Sequence, residues 1–340
     1  MRYRCICSKP NTALLKKFLA LPAEIYGSAP NRETEEKILN GTHILSGYFD
    51  IIPFAVLDEN RRLVNRCILA HYKGEDKAYI GFFEALDNVP ACRMLFASVE
   101  SRAKSLGIKR LIGPYNCSLW LGSRLKLDKF EDTYTGEPFN PHYYPKLWRE
   151  SGFEIFEQYH SNIYKIPDTH NEKCRRRLEF FKTCGYEFTH MTSRDYCRQL
   201  GEIYELLSRV YSGFPEYRDI TKAEFIALYT PLKKMLNLKR DLLVYKDGKL
   251  AAFMIAFPDY SRAKNIFDRA RIKHDPQRLV FMYLGADPSH MGLGSALAEL
   301  MREAQEGKPS VGALIHGQKP RYYSELIVDR YNYALMAKNI

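Results

Sequence analysis

No C-x-x-C pair occurs anywhere in the 340 residues, although eight cysteines are present. Cys5 and Cys7 form a C-x-C with no second pair at metal-binding spacing, and Cys92 falls within an apolar helical pattern. That usage excludes the common zinc and disulfide frameworks. Reduced, buried thiols are expected, and no metal. Any run of about 18 apolar residues is also missing, which excludes a transmembrane helix. The short apolar patch near the start is interrupted by Lys16 and Lys17, and no small-residue cleavage site follows. We therefore expect no signal peptide, a cytoplasmic location and no membrane partner. Negative charge is in deficit: 40 acidic residues stand against 51 basic ones, a net charge of +11. Part of the excess is clustered, at Lys173, Arg175, Arg176, Arg177 and Lys182 and again at Lys233, Lys234, Lys239 and Arg240. Such a surface favours anionic partners, although each cluster alone also fits a solvated helix face.

What is present is ample core material. Hydrophobic residues make up 46% of the chain, and its length suits about two domains. A polar link at 166–173 marks the boundary, giving domains 1–166 and 167–340. Beyond it the pattern predicts a helix over 171–184 stopped by Gly185, a strand over 186–191 and a helix over 193–211. Thr221 and Glu224 form a capping box that opens another helix. Two strands flank Asp247-Gly248, a strong hairpin signal. The segment 280–304 then reads as an apolar strand (Phe281–Ala286), a turn carrying Gly292 and Gly294, and a helix. Leu297, Leu300, Met301 and Ala304 lie on one face of that helix. A glycine turn entering a helix leaves unpaired N–H groups aimed outward, where the helix dipole favours an anion such as a pyrophosphate. A strand at 311–316, a helix at 321–328 and a strand at 331–336 complete the half. The first half repeats this order less clearly: a hairpin at 54–72, a strand at 78–85, a helix at 91–106, a short strand at 110–114, a helix at 143–151 and two closing strands at 153–166.

The turn and its element order resemble the acyl-CoA loop of the GNAT superfamily (Gcn5-related N-acetyltransferases), whose loop runs Gln/Arg-x-x-Gly-x-Gly/Ala. Met291, Gly292, Leu293, Gly294, Ser295 and Ala296 supply its small residues, and Met291 replaces the leading Gln/Arg. The first half is similar to that of a family of bacterial tandem GNAT-like proteins. It shares the phenylalanine-rich strand at 81–84, Gly113-Pro114-Tyr115-Asn116, and the helix entry Asn140-Pro-His-Tyr-Tyr-Pro145. The expected fold class is therefore α/β (α+β): two tandem GNAT-like domains, each a mixed central sheet flanked by helices.

The resemblance implies an acyl transfer in the second domain, with acetyl-CoA or another acyl-CoA as donor and an amine of a small molecule or amino-acid-like compound as acceptor. It implies an oxyanion donor among the backbone N–H groups near Leu284 or Gly285, and a tyrosine that protonates the leaving thiolate. Aligning His316 with the family's asparagine gives Tyr323 that role, with Tyr322 as the neighbour; aligning Gln318 instead leaves no tyrosine in place. Glu216, His316 and Asp259 are candidate bases. In the first domain the equivalent loop, 86–91, has Asp87 and Asn88 and no Gly-x-Gly, and Trp148 takes the tyrosine's position. That domain is expected not to bind CoA, but to shape the acceptor site or the interface. A long loop at 117–139, with Trp120, Tyr134 and Phe139, is expected to cover the acceptor. Three alternatives remain open. The donor is an aminoacyl-tRNA, suited to the basic clusters, or an acyl carrier protein, or the fold is kept as a non-catalytic binding protein.

Overall fold

The computed structural model describes residues 3–7, 12–27, 32–165, 171–317 and 324–340. They divide between unit 1, made of Met1–Phe130, Pro138–Gln158 and Tyr333–Ile340, and unit 2, made of Glu131–Glu137 and Tyr159–Asn332. The C-terminal end of the chain thus belongs to the first unit, and a short piece of the long first-half loop belongs to the second.

Unit 1 runs β1 (Arg4–Cys7), α1 (Thr12–Tyr26), α2 (Glu33–Asn40), β2 (Asp50–Leu57), β3 (Leu63–His71), β4 (Lys77–Ala85), α3 (Val89–Ser105), β5 (Arg110–Gly113), β6 (Leu125–Lys126) and α4 (Tyr144–Glu150). The strand that follows, β7 (Glu154–Tyr164), is a single strand; two had been expected over 153–166. Its residues up to Gln158 lie in unit 1 and the rest in unit 2. Strands β1 to β4 form an antiparallel meander, and β5 lies parallel to β4. The Asn88 side chain caps α3 by accepting from the Ala91 N–H at 3.0 Å, and Leu95, Phe96, Val99 and Ala103 then face the core. Trp148 is fully buried there against Phe83, Phe96 and Phe153. It is a core residue of this unit.

Unit 2 continues with α5 (Glu172–Thr183), β8 (Tyr186–His190), α6 (Tyr196–Tyr211), α7 (Lys222–Tyr229), β9 (Leu242–Lys246), β10 (Lys249–Pro258), α8 (Ile266–His274), β11 (Leu279–Ala286), α9 (Leu293–Ala304), β12 (Ser310–His316) and the first part of β13 (Ile327–Asn339). The expected capping box forms, with Thr221 and Glu224 bonding each other's backbone. Asp247 and Gly248 both take positive φ, 51° and 71°, as a two-residue hairpin turn demands. In sequence the end of the chain read as a helix over 321–328. Instead Ser324–Leu326 is one 3-10 turn and β13 begins at Ile327; residues 321–323 lie outside the described residues. The sheet order in unit 2 is β7-β12-β11-β10-β9-β8. Leu293, Ala296 and Leu297 of α9 pack with Leu178 and Phe181 of α5 over Leu279 and Phe281. Burying each large side chain of this kind stabilises by about 1.5–3 kcal/mol. On the other face, α6 and α7 close a small apolar cavity lined in part by Leu207, Phe225, Tyr229 and Tyr283. The α8 segment was not anticipated from the pattern between Phe257 and Phe281.

Candidate functional site

Two neighbouring strands of unit 2 start together and then part. β11 and β12 are parallel and pair only at Leu279–Ser310, Val280–Val311 and Phe281–Gly312. Just past that point each strand carries an extra residue. In β11 the register against β10 slips at Met282, since Ala256 faces Phe281 and Ile255 faces Tyr283. In β12 the register against β7 slips between Gly312 and Ile315, where Leu314 takes φ 54° and donates its N–H to Ser161 Oγ at 2.9 Å. A bulge bends its strand and frees backbone groups from the ladder. Two bulges at the same level therefore explain why the strands separate into a V. Past the parting, the Leu284 carbonyl accepts from the Tyr211 hydroxyl at 3.0 Å. The β11 bulge also reverses the alternation: Leu279 and Phe281 face α5 and α9 before it, Leu284 and Ala286 after it.

The sequence reading put the oxyanion donor near Leu284 or Gly285. Both are in regular register, opposite Met254 and Phe253, and the irregular residue is Met282. Gly285 has a packing role, because a Cβ there would lie 2.5 Å from the Phe253 ring. Met282 lies against Gly136, whose Cβ would come within 2.6 Å of the Met282 methyl. The piece of the 117–139 loop that lies in unit 2 thus packs on the bulge.

Beyond Ala286 the chain makes the glycine turn. Its frame is tied to β10 and to itself: Asp287 N–H bonds Ala251 O, His290 N–H bonds Asp287 O, and Leu293 N–H bonds His290 O. The Asp287 carboxylate accepts from the Ser289 N–H and hydroxyl and from Arg209, which hold its pKa down at about 2. α9 then begins without a side-chain cap, after Gly292 at φ 93°. The N–H groups of Met291, Gly292 and Gly294 donate to no described residue. A side chain at Gly294 would meet nothing within 4 Å. Leu293, Ser295 and Ala296 are buried and anchor the turn from below. Met291, at the loop's leading position, is 87% exposed and carries no charge. Arg177 of α5 fills that place: its guanidinium lies 3.3–3.4 Å from where a Gly292 Cβ would be. Arg175 and Arg176 are paired with Glu172, whereas Arg177 has no ion-pair partner among the described residues.

The remaining candidates are spread around the mouth of the V. His316 ends β12, with its ring 5.0 Å from Tyr159 and 6.0 Å from Phe214; Phe214 in turn stacks near Tyr211 at 4.6 Å. His316 is thereby linked through aromatic rings to the Leu284 carbonyl across the gap. Glu216 sits two residues on from Phe214, half-buried, at φ 58°. Asp259 has a structural engagement instead. Its carboxylate accepts from the Thr135 N–H and hydroxyl, the Ser261 N–H and Arg278 Nε, the last at 2.6 Å. Tyr322 and Tyr323 lie outside the described residues.

The counterpart in unit 1 is closed. β4 and β5 pair at Lys77–Arg110, Ala78–Leu111 and Tyr79–Ile112, and the contact then continues, Tyr115 N–H bonding Ile80 O at 2.8 Å. A Cβ on Gly81 would lie 2.4 Å from the Tyr115 carbonyl, and one on Gly113 would lie 2.6 Å from the Ile80 carbonyl. The β4 bulge is filled: Phe82 N–H donates to Asn116 Oδ1 at 2.7 Å, and Phe82 O accepts from Arg66 at 3.2 Å. The motif residues Asn140, Tyr143 and Tyr144 bond Lys126, Ala85 and Glu84. These first-half motifs therefore build a plug where the second unit has a V. At the N-terminus of α3 the Asn88 side chain takes the Ala91 N–H, and Pro90 has no N–H to offer.

No family model and no curated protein matches the chain; similarity is found among solved structures. A tandem GNAT protein from the clavulanic acid biosynthesis pathway, described without AcCoA, is 12% identical, with TM-score 0.51 over 99% of this chain and 98% of that one. A GCN5-related N-acetyltransferase from Anabaena variabilis is 9% identical, with TM-score 0.53 over 99% of this chain and 73% of its own. One from Kribbella flavida is 9% identical, with TM-score 0.51 over 99% and 72%. The chain has the mixed α/β fold of tandem GNAT proteins.

Proposed function

We propose that unit 2 is an N-acyltransferase that takes an acyl group from acetyl-CoA or another acyl-CoA and passes it to an amine of a small or amino-acid-like acceptor. The carrying observation is one continuous feature: strands that part at paired bulges, ending in a turn with three N–H groups that donate to no described residue and with the Arg177 guanidinium. In this reading the turn and Arg177 hold the pyrophosphate, and the pantetheine runs along the V. The thioester carbonyl then lies against the β11 bulge, whose backbone stabilises the developing oxyanion. The acceptor amine attacks the carbonyl carbon as His316 or Glu216 takes its proton. The C–S bond breaks, and Tyr323, with Tyr322 as the alternative, returns a proton to the thiolate. Substituting Phe for Tyr323, or Ala for His316, is expected to lower kcat at unchanged Tm. An unchanged kcat in either variant removes that residue from the mechanism.

Donor binding is read first by thermal shift. Acyl-CoA at a hundred times its Kd stabilises by about 2.7 kcal/mol. Gly294→Glu projects into open space, so the variant folds; its carboxylate sits in the anion cradle and abolishes the shift. Arg177→Glu is expected to weaken acyl-CoA binding by about tenfold or more, as for a lost charge-assisted contact. Its binding of S-acyl-pantetheine, which lacks the nucleotide end, should not change. A protein that shows no shift with any CoA, but transfers from charged tRNA or an acylated carrier protein, would overturn the CoA reading.

A further inference from the structure

The surface of α8 carries a pair of side chains that the transfer site does not use. The segment between β10 and β11 is firmly seated at its base. Asp259 and Arg278 bond each other through backbone and side chain, Tyr260 OH bonds Met235 O at 2.7 Å, and Asn237 reaches Lys273 O at 3.1 Å. Asn265 caps the helix through the Asp268 N–H, and Ile272 turns inward and is buried. The opposite face points to solvent. At its start Ile266 is 75% and Phe267 82% exposed, values that a folded chain seldom allows two adjacent large apolar residues. Helical spacing puts exposed Ala270 beside them, with Arg271 and Lys273 on either flank. Arg262 and Lys264 lie just ahead of the helix. In all, Arg262, Lys264, Arg269, Arg271 and Lys273 stand against Asp268 and Asp275.

We propose that α8 docks on an anionic lipid bilayer. Ile266 and Phe267 enter the headgroup–acyl boundary, and the surrounding cations engage lipid phosphates. The chemistry is that of an interfacial amphipathic helix: a short apolar wedge, a basic surround and a rigid mount, so that little order has to be gained on binding. No membrane partner was expected from the sequence, and among the described residues no helix is long and apolar enough to cross a membrane. Surface docking needs no spanning helix, and it departs from the sequence expectation of no membrane partner. An acidic carrier protein fits the site less well. β11 runs from α8 to the glycine turn over eight residues, roughly 26 Å of extended strand at about 3.3 Å per residue. A carrier seated on α8 would deliver its thioester to the wrong end of the V. Only this exclusion of the carrier rests on the acyl-transfer reading; the apolar pair and its basic surround do not.

The test is co-sedimentation of the full-length protein with vesicles of phosphatidylcholine alone and of equal parts phosphatidylcholine and phosphatidylglycerol. The wild type is expected to bind the anionic vesicles and to bind the neutral ones far less. I266S/F267S should lose roughly tenfold or more in affinity with its Tm and circular dichroism unchanged. R262E/R271E should lose as much and become less sensitive to salt. No binding of the wild type overturns the proposal. So does equal binding by I266S/F267S, which would mean that the +11 charge alone attracts the vesicles. Capture of an acidic carrier protein, lost in I266S/F267S while vesicle binding is not, also overturns it.

Discussion

Glu35→Ala should cost unit 1 about 3–5 kcal/mol, because it strands a buried guanidinium. Arg66 is fully buried on β3, stacked 4.3 Å above the Phe18 ring, and its charge is met by Glu35 of α2, itself 2% exposed. Without Glu35, one Arg66 nitrogen keeps the Phe82 carbonyl, and the charge has lost its carboxylate. Chemical denaturation of the variant should show the loss. Glu35→Gln, which keeps an acceptor, should lose less. Replacing both partners with apolar residues of similar volume should recover most of the stability, since the pair's attraction roughly offsets its desolvation. If Glu35→Ala is no less stable than the wild type, the ion pair is not holding α2 to the sheet. The same network leads to the β4 bulge, so loss of Glu35 should also loosen the plug around Phe82 and Asn116.

Asp241→Asn is expected to act in the opposite direction, and only at high pH. Asp241, just before β9, is fully buried. Its Oδ1 accepts from the Ala256 N–H at 2.9 Å, while Oδ2 has no partner among the described residues. Burial without a cation raises its pKa to about 8 from an ordinary 3.8, and the Ala256 bond offsets only part of that. The folded protein therefore keeps a proton that the unfolded chain releases above pH 3.8. Stability from this group is complete at the acid end, falls as pH rises from about 4 to about 8, and is level beyond. At about 1.4 kcal/mol per pKa unit, the wild type loses on the order of 5 kcal/mol across that window. Asn cannot ionise and keeps the acceptor for Ala256. The variant should match the wild type near pH 4 and exceed it by several kcal/mol at pH 9. Urea melts at both pH values would reveal this, and parallel pH profiles for the two proteins would sink the argument.

Local signals in the chain were read correctly at several places where a short-range interaction decides the conformation, although the Asn265 cap of α8 was missed. Asp247-Gly248 turns, the Thr221–Glu224 box caps, and the 3.6-residue pattern of α9 buries its apolar face, because these depend on residues within one turn of each other. The end of the chain misled. A helix was expected up to 328 and a strand only over 331–336, yet the strand already begins at Ile327 and runs to Asn339, its C-terminal part opposite Arg110–Gly113 more than two hundred residues earlier. No local pattern carries a pairing that distant.

The sequence by itself determined much of the element order of unit 2, apart from α8 and the closing helix, together with the position of the glycine turn and the absence of an equivalent turn in the first half. These follow from residue types at short spacing: small residues where a backbone must turn closely, and apolar residues at helical or strand period. Only the tertiary structure decided where the strands part, since a bulge is a mismatch between two strands and neither carries it alone. It moved the irregular residue to Met282, bound Asp259 to Thr135 and Arg278, and brought Arg177 from α5 to the loop position that Met291 leaves bare. It also turned Ile266 and Phe267 outward, which periodicity could not foretell, because which face of a helix is covered depends on what packs beside it.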